Sequence, residues 1–326
     1  MDARTAKFLI FLVFGLVCFG LGVWLRRSRP GAERFAPPVH LYTVLYFWTP
    51  VVLIGFWNLR IDAQLYYFFV LQPLLMIVAA LLTLAATRTM KLPSRGRGDL
   101  VLAGGLSNVG FAMGAYLCYV LFADGQQAFA YGITVLTVMQ VTMYLVFYPV
   151  ADHYGPDAGR SLLHTIRSSL INIRALPIHV VPLGIALNLG GVPFPRAIVD
   201  WYLLDLFFFL GAGGGYLGIG LNFRLRLPDR RDAGAHGLIF FMKFLATPII
   251  AYVLVRLTML AGLAPSSMLV QVFLLEAAMP VAISASIISN LFDLDGELAS
   301  DLWFYNTLLF CIGPLWAVVW IFHGAT

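Results

Sequence analysis

Between Leu274 and Ser289 the chain reads LLEAAMPVAISASIIS, and three features of that stretch can do chemistry. Glu276 puts a carboxylate inside an apolar run, Pro280 interrupts the run, and small or hydroxylated residues fill it from Ala277 to Ser289. Proline deletes one backbone hydrogen bond and collides with the preceding turn. In hydrocarbon, carbonyls freed in that way cost several kcal/mol unless the protein satisfies them. A carboxylate at that depth marks an ion path or a buried partner. Together these residues point to a discontinuous membrane helix whose exposed main chain meets a ligand. The plainer alternative is a proline kink in a packing helix, with Glu276 paired to a base.

A broken helix offers two kinds of site. The half-helix N-terminus presents N–H groups that suit a carboxylate. The half-helix C-terminus presents carbonyls that suit Na⁺ or a proton-bearing partner. A counterpart to the first stretch lies in LVLAGGLSNVGFAMGAYLCYVLF, where Gly104, Gly105, Gly110 and Gly114 weaken a helix and Ser107-Asn108 adds a hydroxyl and an amide. Its plainer alternative is a close-packed interface of small residues with Asn108 bonding across helices. On the broken-helix reading the substrate-binding candidates are Asn108, Gly110, Phe111, Pro280, Val281 and Ser284, with Ala282 offering a further N–H. Glu276, Ser107 and Gln271 supply oxygens for ion coupling. Glu276 is either a Na⁺ ligand or a proton carrier, and apart from such an ion no cofactor is expected. Lys243, also within an apolar segment, would neutralise Glu276 or extend its ammonium to the interface.

The elements that must hold these groups are transmembrane helices. Of 326 residues, 60% are hydrophobic and 11% charged, against about a quarter charged in soluble domains. A span needs ~20 apolar residues. Ten such segments occur, at Phe8–Leu25, Val39–Leu59, Leu65–Thr87, Leu100–Phe122, Phe129–Ala151, Leu170–Leu189, Ile198–Phe223, Leu238–Leu260, Met268–Leu291 and Leu302–Phe322. The first runs into Arg26-Arg27 without a small-residue cleavage site, so it reads as a retained span.

Loop charges set the orientation. Loops one, three, five and seven carry fifteen bases, among them Arg26, Arg88, Arg160 and Arg224; the opposite face has Arg4, Lys7, Arg60, Arg196 and Arg256. The basic face is therefore expected in the cytoplasm, with both termini outside, in a plasma or inner membrane. Loop nine is acidic, with Asp293, Asp295, Glu297 and Asp301, and acidic residues weigh little in this rule. Bases placed in this way do not imply nucleic acid. Cys18, Cys118 and Cys311 are far apart in apolar segments and read as packing residues.

Ten spans divide into two sets of five, and an odd number per half inserts the halves in opposite orientations. Short internal matches agree: Thr142 and Pro149 against Thr307 and Pro314, and QPLL at Gln72 against TPII at Thr247. The expected fold is all-α, with two inverted five-helix repeats (1–151 and 170–326), a cytoplasmic linker (152–169), and broken helices four and nine crossing at mid-membrane. Inverted repeats with broken helices in matching positions are a transporter signature.

Several other features are weaker. GAGGGYLGIG (Gly211–Gly220) contains a dinucleotide-type glycine pattern, but no strand precedes it and close helix packing explains it. Asp205 sits mid-segment without an evident role. His153, His164, His179 and His236 show no zinc spacing. Tyr42, Tyr46, Trp48, Trp57, Tyr66 and Tyr67 read as interface anchors. No nucleophile–base or acid pair suggests an enzyme.

Segment nine, AAMPVAISASIISNLFDLDGELAS, followed by YNTLLFCIGPLW, resembles the auxin efflux carrier family, which shows an Ala-Met-Pro break, a short acidic loop and a Thr-containing final helix ending near Pro-Leu. SNVGFAMGAYL resembles that family's Asn-x-Gly-Phe segment, and FRLRL with KFLATPII also resembles it. GGLSN at Gly104–Asn108 is similar to a motif of the bile-acid/sodium symporters of the same superfamily, whose sodium-binding glutamate falls at Glu276. Two departures are the absence of a proline near Ala115 and a serine, Ser284, where the carriers often have Asn. The resemblance implies a scaffold of segments one, two, five, six, seven and ten and a moving unit of three, four, eight and nine. It also implies a homodimer and small organic anions, such as auxin or dicarboxylates, as substrates. The expected function is therefore a secondary transporter of a carboxylate, coupled to Na⁺ or H⁺. The alternative is a membrane sensor that binds its ligand on a transporter-like fold.

Overall fold

The computed structural model describes residues 3–57, 66–109, 113–156, 171–195, 197–198, 201–223, 230–263 and 265–323, and these residues are helical throughout apart from turns and breaks. The helices are α1 (Ala3–Ser28), α2 (Ala32–Trp57), α3 (Tyr66–Thr87), α4 (Ser94–Gly105), α5 (Gly114–Leu121), α6 (Gln127–Tyr154) and α7 (Val181–Leu189). They continue with α8 (Leu203–Asn222), α9 (Ala233–Leu260), α10 (Ser267–Ala277), α11 (Ile283–Leu291), α12 (Gly296–Ile312) and α13 (Pro314–His323). Among the described residues α2, α3, α6 and α9 are long and apolar enough to cross a membrane, and α12 with α13 makes a fifth if that pair, bent by 50°, is one span. Bulky apolar side chains such as Trp24, Leu260, Trp316 and Trp320 lie exposed, as lipid-facing residues do.

Prolines decide where the apolar segments stay continuous. Pro50, Pro149 and Pro248 each follow a π-helical turn, at Thr43–Trp48, Met143–Phe147 and Met242–Ala246. In each, the N–H of the residue before the proline reaches five residues back, to the carbonyl of Val44, Met143 or Met242. The hydroxyls of Thr49 and Thr247 donate to the same carbonyls of Val44 and Met242, at 3.0 and 2.7 Å. The helix widens locally and absorbs the missing donor without a break. Pro73 also sits inside an unbroken helix, α3, whereas around Pro177 and Pro182 the helix does not stay whole. Segment six, expected as one span over Leu170–Leu189, forms short helices at Ile173–Ala175, Leu176–His179 and α7. Pro177 and Pro182 start the last two of these, where a proline is tolerated.

The chain divides into two compact units. The first comprises Met1–Arg60, Gln140–Arg224 and Ser286–Ser300. Its central contact is α1 against α8, backbone to backbone. A Cβ on Gly220 would overlap the Phe19 carbonyl, and one on Gly22 would overlap the Leu217 carbonyl. Gly214 and Gly218 meet Thr43 and His40 of α2 in the same way. The glycine-rich run is therefore a packing surface with no room for a nucleotide. Asp205 falls in the first turn of α8, where the helix N-terminus favours a carboxylate. At one end of this unit Arg26 forms an ion pair with Glu297 at 2.6 Å and donates to the Asn222 carbonyl. Asn222 donates to Asn290 at 2.6 Å, and Arg174 lies 5.4 Å over the Phe292 ring. The ends of segments one and seven thus meet the end of segment nine and its following loop, over which Arg174 also lies.

The second unit comprises Ile61–Met139, Leu225–Ala285 and Asp301–Thr326. Here α3 packs closely on α4, with Gly104 against the Thr83 side chain. This unit contains the breaks in segments four and nine.

The glycine contact between α1 and α8 gives a direct expectation. Gly220→Ala should destabilise the protein by about 1–3 kcal/mol, because the overlapped atoms are backbone and cannot rotate away. Gly237→Ala, where nothing lies within 4 Å of an added Cβ, should be neutral or stabilising by up to ~1 kcal/mol. Thermal unfolding of both variants in detergent checks this; equal behaviour of the two would contradict the packing described.

Candidate functional site

Helix α4 stops at Gly105, Leu106 turns extended (φ −100°, ψ 120°), and α5 begins at Gly114. Helix α10 stops at Ala277 and α11 begins at Ile283, with Pro280 between them. In the two gaps the main chains pair antiparallel. Asn108 N–H donates to the Pro280 carbonyl at 2.7 Å, and Ala282 N–H donates to the Leu106 carbonyl at 3.1 Å. Ser107 and Val281 face each other between these bonds. They form the non-hydrogen-bonded type of pair, in which side chains lie closest. Val281 N–H points away from the pair and donates to Asn306 Oδ1 of α12 at 2.9 Å. Each break thus supplies partners for groups the other break exposes, as buried peptides require.

The amide protons of Asn108, Val281 and Ala282 are therefore committed inside the protein, and side chains carry the remaining binding capacity. Ser107 and Asn108 are 6% and 4% exposed, Glu276 1%, and Lys243 0%. Lys243 lies in the π turn Met242–Ala246 of α9 and donates from Nζ to Ser107 Oγ at 2.9 Å. Its ammonium is thus held at the break in segment four and does not reach an interface. The buried donors Asn108 Nδ2, Ser284 Oγ and Thr307 Oγ1 have no hydrogen-bond partner among the described residues. They stand one residue from Ser107, three residues from Val281 and one residue from Asn306.

Glu276 occupies the last turn of α10. Its carboxylate lies against Gly114, the first residue of α5, and near Gly132 of α6; a Cβ on either glycine would meet its oxygens. A helix N-terminus carries partial positive charge and offsets a carboxylate beside it. The glycines are needed here because any side chain would displace the carboxyl group.

Of the residues the sequence singles out, Ser107, Asn108, Pro280 and Val281 come together at the paired breaks, and Ser284 stands in the first turn of α11. Gln271 is half-buried on α10, five residues before Glu276, so it lies about 140° around the helix from it. Gly110 and Phe111 lie outside the described residues. Asn306 is a contributor that the sequence analysis did not single out, and Lys243, expected against Glu276 or at the interface, is bonded to Ser107 instead. Asn306-Thr307 inside an apolar segment was a visible signal of the same kind as Ser107-Asn108. Comparison with protein-family models and with curated proteins finds no match for this chain.

Asn306→Ala should leave the Val281 N–H buried without its acceptor, at a cost of about 1–3 kcal/mol. Asn306→Asp keeps an acceptor oxygen and should lose less. Thermal unfolding in detergent compares them; an alanine variant as stable as wild type would contradict the role given to Asn306.

Proposed function

We propose that this protein is a secondary transporter that moves a small organic anion, a carboxylate, across the membrane by alternating access. The observation that carries the reading is the pairing of two interrupted helices around a buried ammonium and side-chain donors that have no partner among the described residues. A ligand that enters such a site meets donors already desolvated and held in place, as in sites built on discontinuous helices. The carboxylate is contacted by the side chains of Asn108 and Ser284, the buried donors beside the two breaks. Glu276 couples the movement by taking Na⁺ or a proton.

In this proposal ten spans form two inverted five-helix repeats, each with one broken helix. Several facts support it. The breaks fall in the fourth and ninth apolar segments. The matched prolines Pro149 and Pro314 both distort their helices, one by a π turn and one by a 50° bend. The ends of segments one and seven and the start of segment six lie with loop nine at one end of the first unit, as alternate crossing requires. The second unit gathers segments three, four and eight with most of nine, and also the first half of five and all of ten. It is the candidate for the part that moves, by an elevator-like or rocking motion. The basic loops put both termini outside a plasma or inner membrane, and the protein works as a homodimer.

Reconstitution in proteoliposomes tests the proposal. Uptake or counterflow of a monocarboxylate or dicarboxylate is expected, and Glu276→Gln should abolish its dependence on Na⁺ or on the proton gradient. Folded protein that binds carboxylates without moving them would make it a sensor. Unchanged ion dependence in Glu276→Gln would remove the coupling role.

A further inference from the structure

Lys243 is a fully buried cation of the second unit, and packing alone does not explain it. Burying an ammonium costs several kcal/mol, and a methionine of similar length would fill the same space without that cost. The ammonium carries three donors. Among the described residues one goes to Ser107 Oγ. Ser107 is neutral, so this bond satisfies a proton without supplying a counter-charge. Glu276 lies against Gly114 and Gly132, whereas Lys243 lies on Ser107, at the strand-like pair with Val281. Beside Ser107, Asn108 Nδ2 is a second buried donor without a partner among the described residues. A cation and an amide donor on adjacent residues of a dry site are complementary to a carboxylate. The same ammonium makes Ser107 Oγ a poor ligand for Na⁺, because the two cations would repel at short range.

We propose that the Lys243 ammonium, held on Ser107 at the break in segment four, is the fixed counter-charge that receives the substrate's carboxylate, with Asn108 as the second donor. One such charge matches one carboxylate, so the site selects monocarboxylates over dicarboxylates. The inference rests on the transporter reading and names the group that confers its anion selectivity.

The test uses the full-length protein in detergent, with acetate, benzoate, succinate and malate as N-methylglucamine salts and chloride as the control. Affinity is read by calorimetry and by ligand-induced shifts in thermal unfolding. Wild type should bind a monocarboxylate. Lys243→Met should weaken that binding about tenfold or more, the loss expected for a charge-assisted hydrogen bond. Lys243→Arg should retain most of it. Without ligand, Lys243→Met should be at least as stable as wild type, which a purely structural lysine would not allow. If Lys243→Met does not fold, acylation of Lys243 in wild type decides, read by mass spectrometry against the exposed Lys91. Benzoate should slow modification at Lys243 and leave Lys91 unaffected. Equal carboxylate affinity in wild type and Lys243→Met, or no protection of Lys243, overturns the inference and leaves the transporter reading standing. Failure of wild type to bind any of the four acids overturns the transporter reading itself.

Discussion

A peptide group left without a partner in apolar surroundings costs several kcal/mol, and the arrangement of this chain follows from where it meets that cost. Segments four and nine are each interrupted, by glycines in one and by Pro280 in the other. Neither interruption would be tolerable by itself. Two hydrogen bonds between the gaps and one to Asn306 bring the exposed amides back into bonding. The paired segments then fix Ser107, and Ser107 fixes the Lys243 ammonium. The polar side chains are where they are because the backbone had to be satisfied first.

The other prolines show that a break is not the automatic result of a missing donor. At Pro50, Pro149 and Pro248 the helix widens by a π turn, and at two of them a threonine hydroxyl adds a second bond to the carbonyl that closes the turn. At Pro314, next to Gly313, the helix bends by 50°. At Pro280 the surrounding Ala-Ala-Met and Val-Ala residues carry no hydroxyl that could cap a carbonyl in this way. A second interrupted segment stands opposite instead. The π turn before Pro248 has a further consequence, since it carries Lys243. A local repair of the helix thus presents the buried cation.

Much of this was legible in the sequence, and the rest was hidden for identifiable reasons. Pro280 and the Gly104–Asn108 run announce their own breaks because proline and glycine act on the local chain. Long apolar runs announce α3 and α9 for the same reason. The repair of Pro50, Pro149 and Pro248 leaves hydropathy unchanged and so left no trace. Segment six shows the reverse: its hydropathy reads as one span, while Pro177 and Pro182 divide it. The Lys243–Ser107 bond joins residues 136 apart, and nothing in either local sequence names the other. Where the Glu276 carboxylate comes to rest was likewise a question of tertiary structure; it lies against Gly114.

The central claim, that the two breaks lie paired, has a direct measurement. In a non-hydrogen-bonded antiparallel pair the Cα atoms stand about 4.5 Å apart, within the reach of a disulfide. With Cys18, Cys118 and Cys311 replaced by alanine, the double substitution Ser107→Cys and Val281→Cys should cross-link readily in membranes under a permeant oxidant. A peptide map would show residues 107 and 281 joined. Persistent free thiols at both positions in folded protein, under oxidant that reaches them, would mean that segments four and nine do not meet.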